Sequence, residues 1–348
     1  MSTIIDQFTQ MDTNGGSQLT AKDFKPDNDV RWCLGCGAYS VLYPVQKFMP
    51  DLGVPKEKIA FVSGIGCSGR FPYYMETYGF HGIHGRPIAI ASGLKVSRPD
   101  LSVWVVTGDG DNMSIGGNHF IHGCRRNVDL NVLMFNNEIY SLTKGQYSPT
   151  SKQGQVTKTS PLGVLETPFN PVHMAIASGA PFVARGYDKD RFHIQYLIER
   201  AARHKGFSFV ELLTNCLIFN DEAFDDFTKK DVRDDNTVNL EHGKPLVFGK
   251  EHDKGIILDG FKLKAVTLGD EYSINDLLVH DETDSTLAYI LAGMDDDPEL
   301  PHPVGVFLAL DKKPYDERVT DQIAYAKEVQ GEGTLEELLL GDDHWEVN

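Results

Sequence analysis

Residues 102–112 read SVWVVTGDGDN, residues 115–119 read IGGNH, and residues 131–140 read NVLMFNNEIY. Two short apolar, β-branched runs each end in a polar turn, and a helix-like segment, Ile115 to Arg125, lies between them. Continuous apolar strands separated by helices belong to a parallel sheet covered on both faces. The alternation extends outward. Ile59 to Ser63, Ser102 to Thr107, Leu130 to Phe135, Phe182 to Arg185 and Phe207 to Leu212 read as strands, and Pro87 to Val96, Pro171 to Ala177 and Arg191 to His204 as helices. Residues 30–220 are therefore expected to form one doubly wound, mostly parallel α/β domain. Residues 1–29, with turn formers at Asn14 to Ser17 and Asp27 to Asp29, read as a lead-in arm, order beginning near Val30. Residues 221–348 read as an acidic, turn-rich extension on the surface or against a partner.

Charge supports that division. The 348 residues carry a net charge of -17. Residues 221–348 hold 32 Asp and Glu against 12 Lys and Arg, so the first 220 residues are close to neutral. Nucleic acid is excluded as a partner, because neutralising phosphates needs clustered cations. No stretch approaches the roughly 20 apolar residues that span a bilayer, and Met1 to Lys25 is too polar for an export signal. The expected location is the cytoplasm, where a reducing environment leaves the five cysteines free for metal or catalysis.

A carboxylate at the end of one strand and an amide at the end of the next converge at the C-terminal edge of a parallel sheet, where such folds bind ligands. Magnesium prefers oxygen ligands in octahedral geometry and usually keeps phosphate oxygens among them. Asp109, the Asn137 amide and the Ile139 carbonyl form a suitable set for a diphosphate-bound cation, and Gly108 and Gly110 let the backbone approach phosphate. Each turn alone is also an ordinary loop. Paired, with 26 residues between Gly110 and Asn137, they resemble the GDG…NN signature of thiamine-diphosphate enzymes. Upstream, Gly64-Ile65-Gly66-Cys67-Ser68-Gly69 satisfies the dinucleotide fingerprint. It is a decoy: Arg70 to Tyr74 opens a helix poorly, and His84-Gly85-Arg86 stands near where a ribose-binding acid belongs.

Cys33-Leu34-Gly35-Cys36 supplies two thiolates at metal-ligand spacing, Cys67 lies in the glycine-rich turn, and Cys216 follows a strand. Four thiolates suit zinc or an iron-sulfur cluster, and spacing does not separate these. Cys124, on a helix before Arg125, reads as a buried small apolar residue.

From Trp32 to Asn220 the chain resembles the β subunit of two-subunit 2-oxoacid:ferredoxin oxidoreductases. The resemblance is carried by Cys33 to Gly37, Ile65-Gly66-Cys67-Ser68, His84-Gly85-Arg86, Gly108 to His119, Arg125-Arg126-Asn127, Asn136 to Tyr140 and Cys216. It implies one [4Fe-4S] cluster on Cys33, Cys36, Cys67 and Cys216. It also implies thiamine diphosphate against Ile65, Gly66, Cys67, Ser68, His84, Gly108, Gly110, Asp111, Ser141 and Leu142, with Cys67 and His84 nearest the chemistry. Leu34 stands where the family usually has proline, a change that removes no ligand. The implied reaction is coenzyme-A-dependent oxidative decarboxylation of a 2-oxoacid, run in either direction, with ferredoxin taking the electrons. A partner α subunit supplies the aminopyrimidine-activating glutamate, so a heterodimer is expected.

Arg70 and Lys144 are candidate partners for a distal substrate carboxylate. With the likeness of Leu142 to Thr150 to the 2-oxoglutarate branch, they make 2-oxoglutarate the expected substrate, ahead of pyruvate or a broad range of 2-oxoacids. Two further readings compete. One is a thiamine-dependent decarboxylase subunit with structural zinc; the other is a non-catalytic subunit, against which the intact Asp109, Asn137 and cysteine set counts. His84 is the candidate functional histidine, whereas His81 and His119 read as satisfied polar residues.

Overall fold

The computed structural model describes residues 19–341 and 343–345. An eight-stranded sheet runs through it. Its strands are β1 (Ile59–Ser63), β2 (Tyr78–His81), β3 (Ser102–Gly108), β4 (Asn131–Asn136), β5 (Phe182–Tyr187), β6 (Ser208–Leu213), β7 (Thr237–Leu240) and β11 (His302–Ala309), in spatial order β2-β1-β3-β4-β6-β5-β11-β7. All neighbours are parallel except β11 and β5. Strands β8 (Val247–Phe248), β9 (Lys254–Asp259) and β10 (Lys262–Thr267) form a small antiparallel sheet beside it.

The five strands read from the sequence are present, each within two residues at either end. They are nearly continuous apolar runs because both faces of the sheet are covered. Successive residues alternate between two cores. Val103, Val105, Val132, Met134, Val183 and Phe209 pack with helices α2 (Pro87–Ser97), α4 (Gly117–Arg126) and α5 (Pro171–Ala177). Trp104, Val106, Leu133, Ala184 and Val210 pack with α1 (Tyr39–Phe48) and α6 (Arg191–Arg203) on the other side. Cys124 lies fully buried in the first core, as read. The turn after β3 is tighter than expected, because Asp109–Met113 coils into a short helix, α3.

Three boundaries need correction. The expected arm is in part outside the described residues (1–18), and the remainder is not a loose lead-in. Ala21–Phe24 forms a 3-10 turn, and Phe24 is buried against Val41, Val45 and Met75 in the second core. The segment after Gly69 is helical too, as a 3-10 turn over Ser68–Tyr74.

The largest correction concerns residues 221–348, which are not an appended extension. β11 inserts between β5 and β7, parallel to β7 and antiparallel to β5, pairing Gly305 with Arg185 and Ala309 with Phe182 around a bulge. The helix Ser285–Ala292 buries Leu287, Ala288, Leu291 and Ala292 in the first core, together with Phe307. Pro303 and Gly305 masked β11 in the sequence, since both are poor strand residues. Gly305 has φ +119, and a Cβ there would sit 2.7 Å from the Leu240 carbonyl oxygen, so only glycine lets β7 close. Residues 320–341 are all exposed. Among the described residues no helix is long and apolar enough to cross a membrane.

If β11 is part of the core, Phe307→Ala destabilises the protein by about 3–5 kcal/mol through the cavity it leaves. Ile323→Ala, on the exposed part of the helix Tyr315–Gln330, changes stability by less than about 0.5 kcal/mol. Denaturant unfolding of the two variants separates these outcomes.

Candidate active site

The C-terminal ends of β1, β3, β4 and β6 lie side by side along one edge of the sheet, and each releases one of the motifs. β1 releases Gly64 to Ser68, β3 Gly108 to Asp111, β4 Asn136 to Ser141, and β6 Thr214 to Cys216. The loops enclose a cavity of about 970 Å³. Every residue singled out from the sequence lines it. Cys33, Cys36, Cys67 and Cys216 are there, as are Asp109, Asn137 and Ile139, and Ile65, Gly66, Ser68, Gly108, Gly110, Asp111, Ser141 and Leu142. So are Arg70, His84 and Lys144.

Asp111 ties the loops together. Its Oδ1 accepts from the Ile65 amide at 3.1 Å, the Gly85 amide at 2.7 Å and His84 Nδ1 at 2.7 Å, while Oδ2 accepts from Thr107 Oγ1 at 2.7 Å. Three separate segments thus meet at one buried carboxylate. Gly64 lies against it so closely that a Cβ would fall 1.9 Å from Oδ2. The sequence reading made Asp111 a cofactor contact; in the structure its oxygens hold protein. His84, with Nδ1 taken by Asp111, stands edge-on to the Tyr140 ring at 6.1 Å. Tyr140 donates to the Gly110 carbonyl at 3.0 Å, and its ring occupies the space a side chain at residue 110 would need.

Asp109 differs from its neighbour two residues on. It is buried, and Ser148 and Thr150 both donate to Oδ2, at 2.5 and 2.8 Å. Burial nevertheless dominates and pushes its carboxyl up to about 6. Across from it, Asn137 donates through Nδ2 to Ser141 Oγ at 3.2 Å, and its Oδ1 is buried with no partner among the described residues. A carboxylate short of positive charge and an orphaned amide oxygen in one cavity fit a hard cation. Ser148 and Thr150 were not singled out from the sequence, because hydroxyls carry no spacing signature.

The four thiols share the cavity wall. All are free. Cys36 donates its amide to the Cys33 carbonyl at 3.1 Å, and Trp32 Nε1 holds the Cys67 carbonyl at 2.7 Å. Burial, with further contributions from Cys67, Cys216 and Cys33, pushes the Cys36 thiol up to about 11. Burial likewise raises Cys67, against the opposing hydrogen bond from Ser141 Oγ at 3.5 Å. Among the described residues no three His, Cys, Asp or Glu side chains are gathered closely enough to hold a single metal ion. A tetrahedral zinc would need its sulfurs roughly 3.8 Å apart, given Zn–S bonds of about 2.3 Å.

Backbone strain concentrates in the loop after β4. Glu138 and Lys144 take φ values of 55° and 77°, a left-handed conformation uncommon outside glycine. Of these, Lys144 lines the cavity.

Comparison with known proteins agrees with this geometry. Residues 64–212 match the C-terminal thiamine-pyrophosphate-binding domain of thiamine pyrophosphate enzymes. The chain is 47% identical over 332 residues to the 2-oxoglutarate oxidoreductase subunit KorB of Mycobacterium tuberculosis, covering 94% of this chain and 88% of that one. This chain belongs to the 2-oxoacid:ferredoxin oxidoreductase β-subunit family. The β subunit of a Sulfolobus 2-oxoacid:ferredoxin oxidoreductase is 46% identical over 192 residues, or 55% of this chain and 63% of that protein. In three dimensions the β subunit resembles the 2-oxoglutarate:ferredoxin oxidoreductase of Magnetococcus marinus, solved with 2-oxoglutarate, coenzyme A and succinyl-CoA bound. The TM-score is 0.74 at 30% identity, over 94% of this chain and 96% of that one. The chain is thus one subunit of an oxidoreductase that works with a partner subunit, and residues 64–212 are its thiamine-diphosphate-binding domain.

Asp111→Ala deletes four hydrogen bonds to a buried carboxylate. At about 1.5–3 kcal/mol for each charge-linked bond, partly recovered by relaxation, it is expected to cost about 3–5 kcal/mol in thermal or denaturant unfolding, whereas Asp111→Asn retains part of the set and costs less.

Proposed function

We propose that this chain is the catalytic β subunit of a cytoplasmic 2-oxoglutarate:ferredoxin oxidoreductase, converting 2-oxoglutarate and coenzyme A to succinyl-CoA and carbon dioxide, in either direction. The observation that carries the proposal is the single cavity in which the magnesium set, the four thiols and two cations meet. Bound there, thiamine diphosphate supplies the nucleophilic carbon and electron sink for decarboxylation, and a [4Fe-4S] cluster accepts electrons singly for ferredoxin.

The residues divide the work. Asp109, Asn137 Oδ1 and the Ile139 carbonyl hold the magnesium that binds the diphosphate. Gly108, Gly110, Ile65, Gly66 and Ser68 keep the approach open, and Ser141 and Leu142 line the side nearest Cys67. His84, its tautomer set by Asp111, turns its other ring nitrogen toward substrate. Cys33, Cys36, Cys67 and Cys216 hold the cluster. Five unpaired cysteines suit a reducing cytoplasm.

Lys144 supports 2-oxoglutarate over pyruvate. A left-handed non-glycine residue costs of order 1 kcal/mol, and glycine would fit there without it. A lysine side chain facing the cavity offers what only a dicarboxylate needs. Arg70 is a second cation on that wall.

Anaerobic purification with the partner α subunit is expected to yield about four irons and four sulfides per chain, with coenzyme-A-dependent dye reduction favouring 2-oxoglutarate. Zinc without iron, or turnover needing no electron acceptor, defeats the proposal. Lys144→Met is expected to raise KM for 2-oxoglutarate about tenfold or more while leaving residual pyruvate turnover nearly unchanged, which steady-state kinetics on both substrates will test.

A further inference from the structure

A line of polar groups, half-buried at His302 and Asp295 and buried from Arg185 onward, crosses the sheet and ends on Asp109. It begins in the C-terminal third, where His302 Nδ1 lies 2.9 Å from Asp295 Oδ1. Asp295 Oδ2 accepts from Arg185 at 2.5 Å, and Arg185 Nε donates to Glu211 Oε2 at 2.7 Å. Glu211 Oε1 accepts from Asn136 Nδ2 at 2.8 Å. Beyond the amide, Thr150 Oγ1 lies 3.0 Å from Asn136 Oδ1 and 2.8 Å from Asp109 Oδ2, so two acceptors compete for its single proton, and the shorter contact is to the carboxylate. Asn136 Oδ1 also accepts from the Glu138 amide at 3.2 Å.

Strand register builds this line. Arg185 is directly opposite Glu211 in the β5–β6 pair, and Glu211 is opposite Met134, two residues before Asn136, in the β4–β6 pair. Residues two apart share a face, so all three side chains lie at the C-terminal rim of one face, beneath the cofactor loops. Arg185 and Glu211 are 4% and 1% exposed. A buried ion pair of this kind is a poor source of stability, since apolar residues of equal volume often do as well or better. It does fix direction. Glu211 accepts only, so the Asn136 amide must turn Nδ2 toward it and Oδ1 toward the loop. With that orientation the Glu138 amide and Thr150 are held, which shapes the turn presenting Asn137 and sets the hydroxyl on Asp109.

We infer that Arg185 and Glu211, braced by Asp295 and His302, are positioning residues for the magnesium-diphosphate site, acting through Asn136 and Thr150. The inference rests on the assignment of Asp109 and Asn137 to that site. It gives the C-terminal third a part in the reaction: the strand and turn carrying His302 and Asp295 anchor the far end of the line that orients the cation ligands.

The test uses the complex of this chain with its partner subunit, stripped of magnesium and thiamine diphosphate and titrated with both by calorimetry. Arg185→Met with Glu211→Leu removes both charges at similar volume. Magnesium-dependent thiamine diphosphate binding is expected to weaken 10- to 100-fold, the range for residues that orient metal ligands, in a variant that still assembles with its partner. Wild-type affinity in the folded double variant overturns the inference. If that variant does not assemble, Thr150→Val against Thr150→Ser decides: Val is expected to lose at least tenfold and Ser to stay near wild type, and equal affinities overturn it. A wild-type complex that takes up no thiamine diphosphate with magnesium overturns the cofactor assignment itself, which is distinct from wild-type-like variants.

Discussion

The carboxylate of Asp111 is the constraint on which the rest of the site depends. Loops after β1 and β3 and the segment His84 to Arg86 are remote in sequence, yet they frame one cavity. One buried anion with four donors accomplishes this, because an unmet charge-linked hydrogen bond in the interior costs far more than a met one gains. Two residues earlier the same chemical group has the opposite character. Asp109 receives two hydroxyls on one oxygen and is driven up toward neutrality by burial. A satisfied carboxylate is scaffold, and an under-compensated one beside an orphaned amide oxygen is a place for a cation. The motif Gly108 to Asp111 therefore carries two functions that its residue types alone do not distinguish.

That distinction marks the limit of what the sequence made legible. The parallel sheet was readable because β1, β3, β4, β5 and β6 are buried on both faces and so are apolar without interruption. The site was readable because its glycines, thiols and carboxylates lie at strand ends in a familiar order. Ser148, Thr150 and Asn136 were not, since a hydroxyl or amide in a polar segment looks the same whether it faces water or a metal ligand. Two signals were available and unused: Arg185 in Phe182–Tyr187 and Glu211 in Ser208–Leu213 are lone charges within apolar strands, and each implied a buried partner.

The boundary at residue 220 failed for a different reason. Average charge is a property of surfaces, and most of the acidity after Asp221 is on the surface, including all of residues 320–341. The core contributions from the same third are few and interrupted: β11 contains a proline, a glycine and a bulge, and β7 is four residues long. Such strands are stable only because β5 and the first core already exist to receive them, so their sequences need not declare themselves. Context overrides local propensity most strongly at the edge of a sheet.

The same edge logic explains why the subunit is not sufficient by itself. At the opposite side of the sheet, β2 has all four residues exposed, among them Tyr78 and Phe80, and Ile83 and Ile115 stand uncovered beside His84 and Gly85. An apolar rim next to a polar cavity is costly in water unless another surface covers it. Asp109, Asn137, Cys67 and Cys216 lie at the C-terminal ends of β3, β4, β1 and β6, and Cys33 and Cys36 reach the same cavity from the loop before α1. Excluding water from the cavity would strengthen every electrostatic contact that Asp111 and the Arg185 to Asn136 line have set in place, and the chain belongs to a family whose members work with a partner subunit.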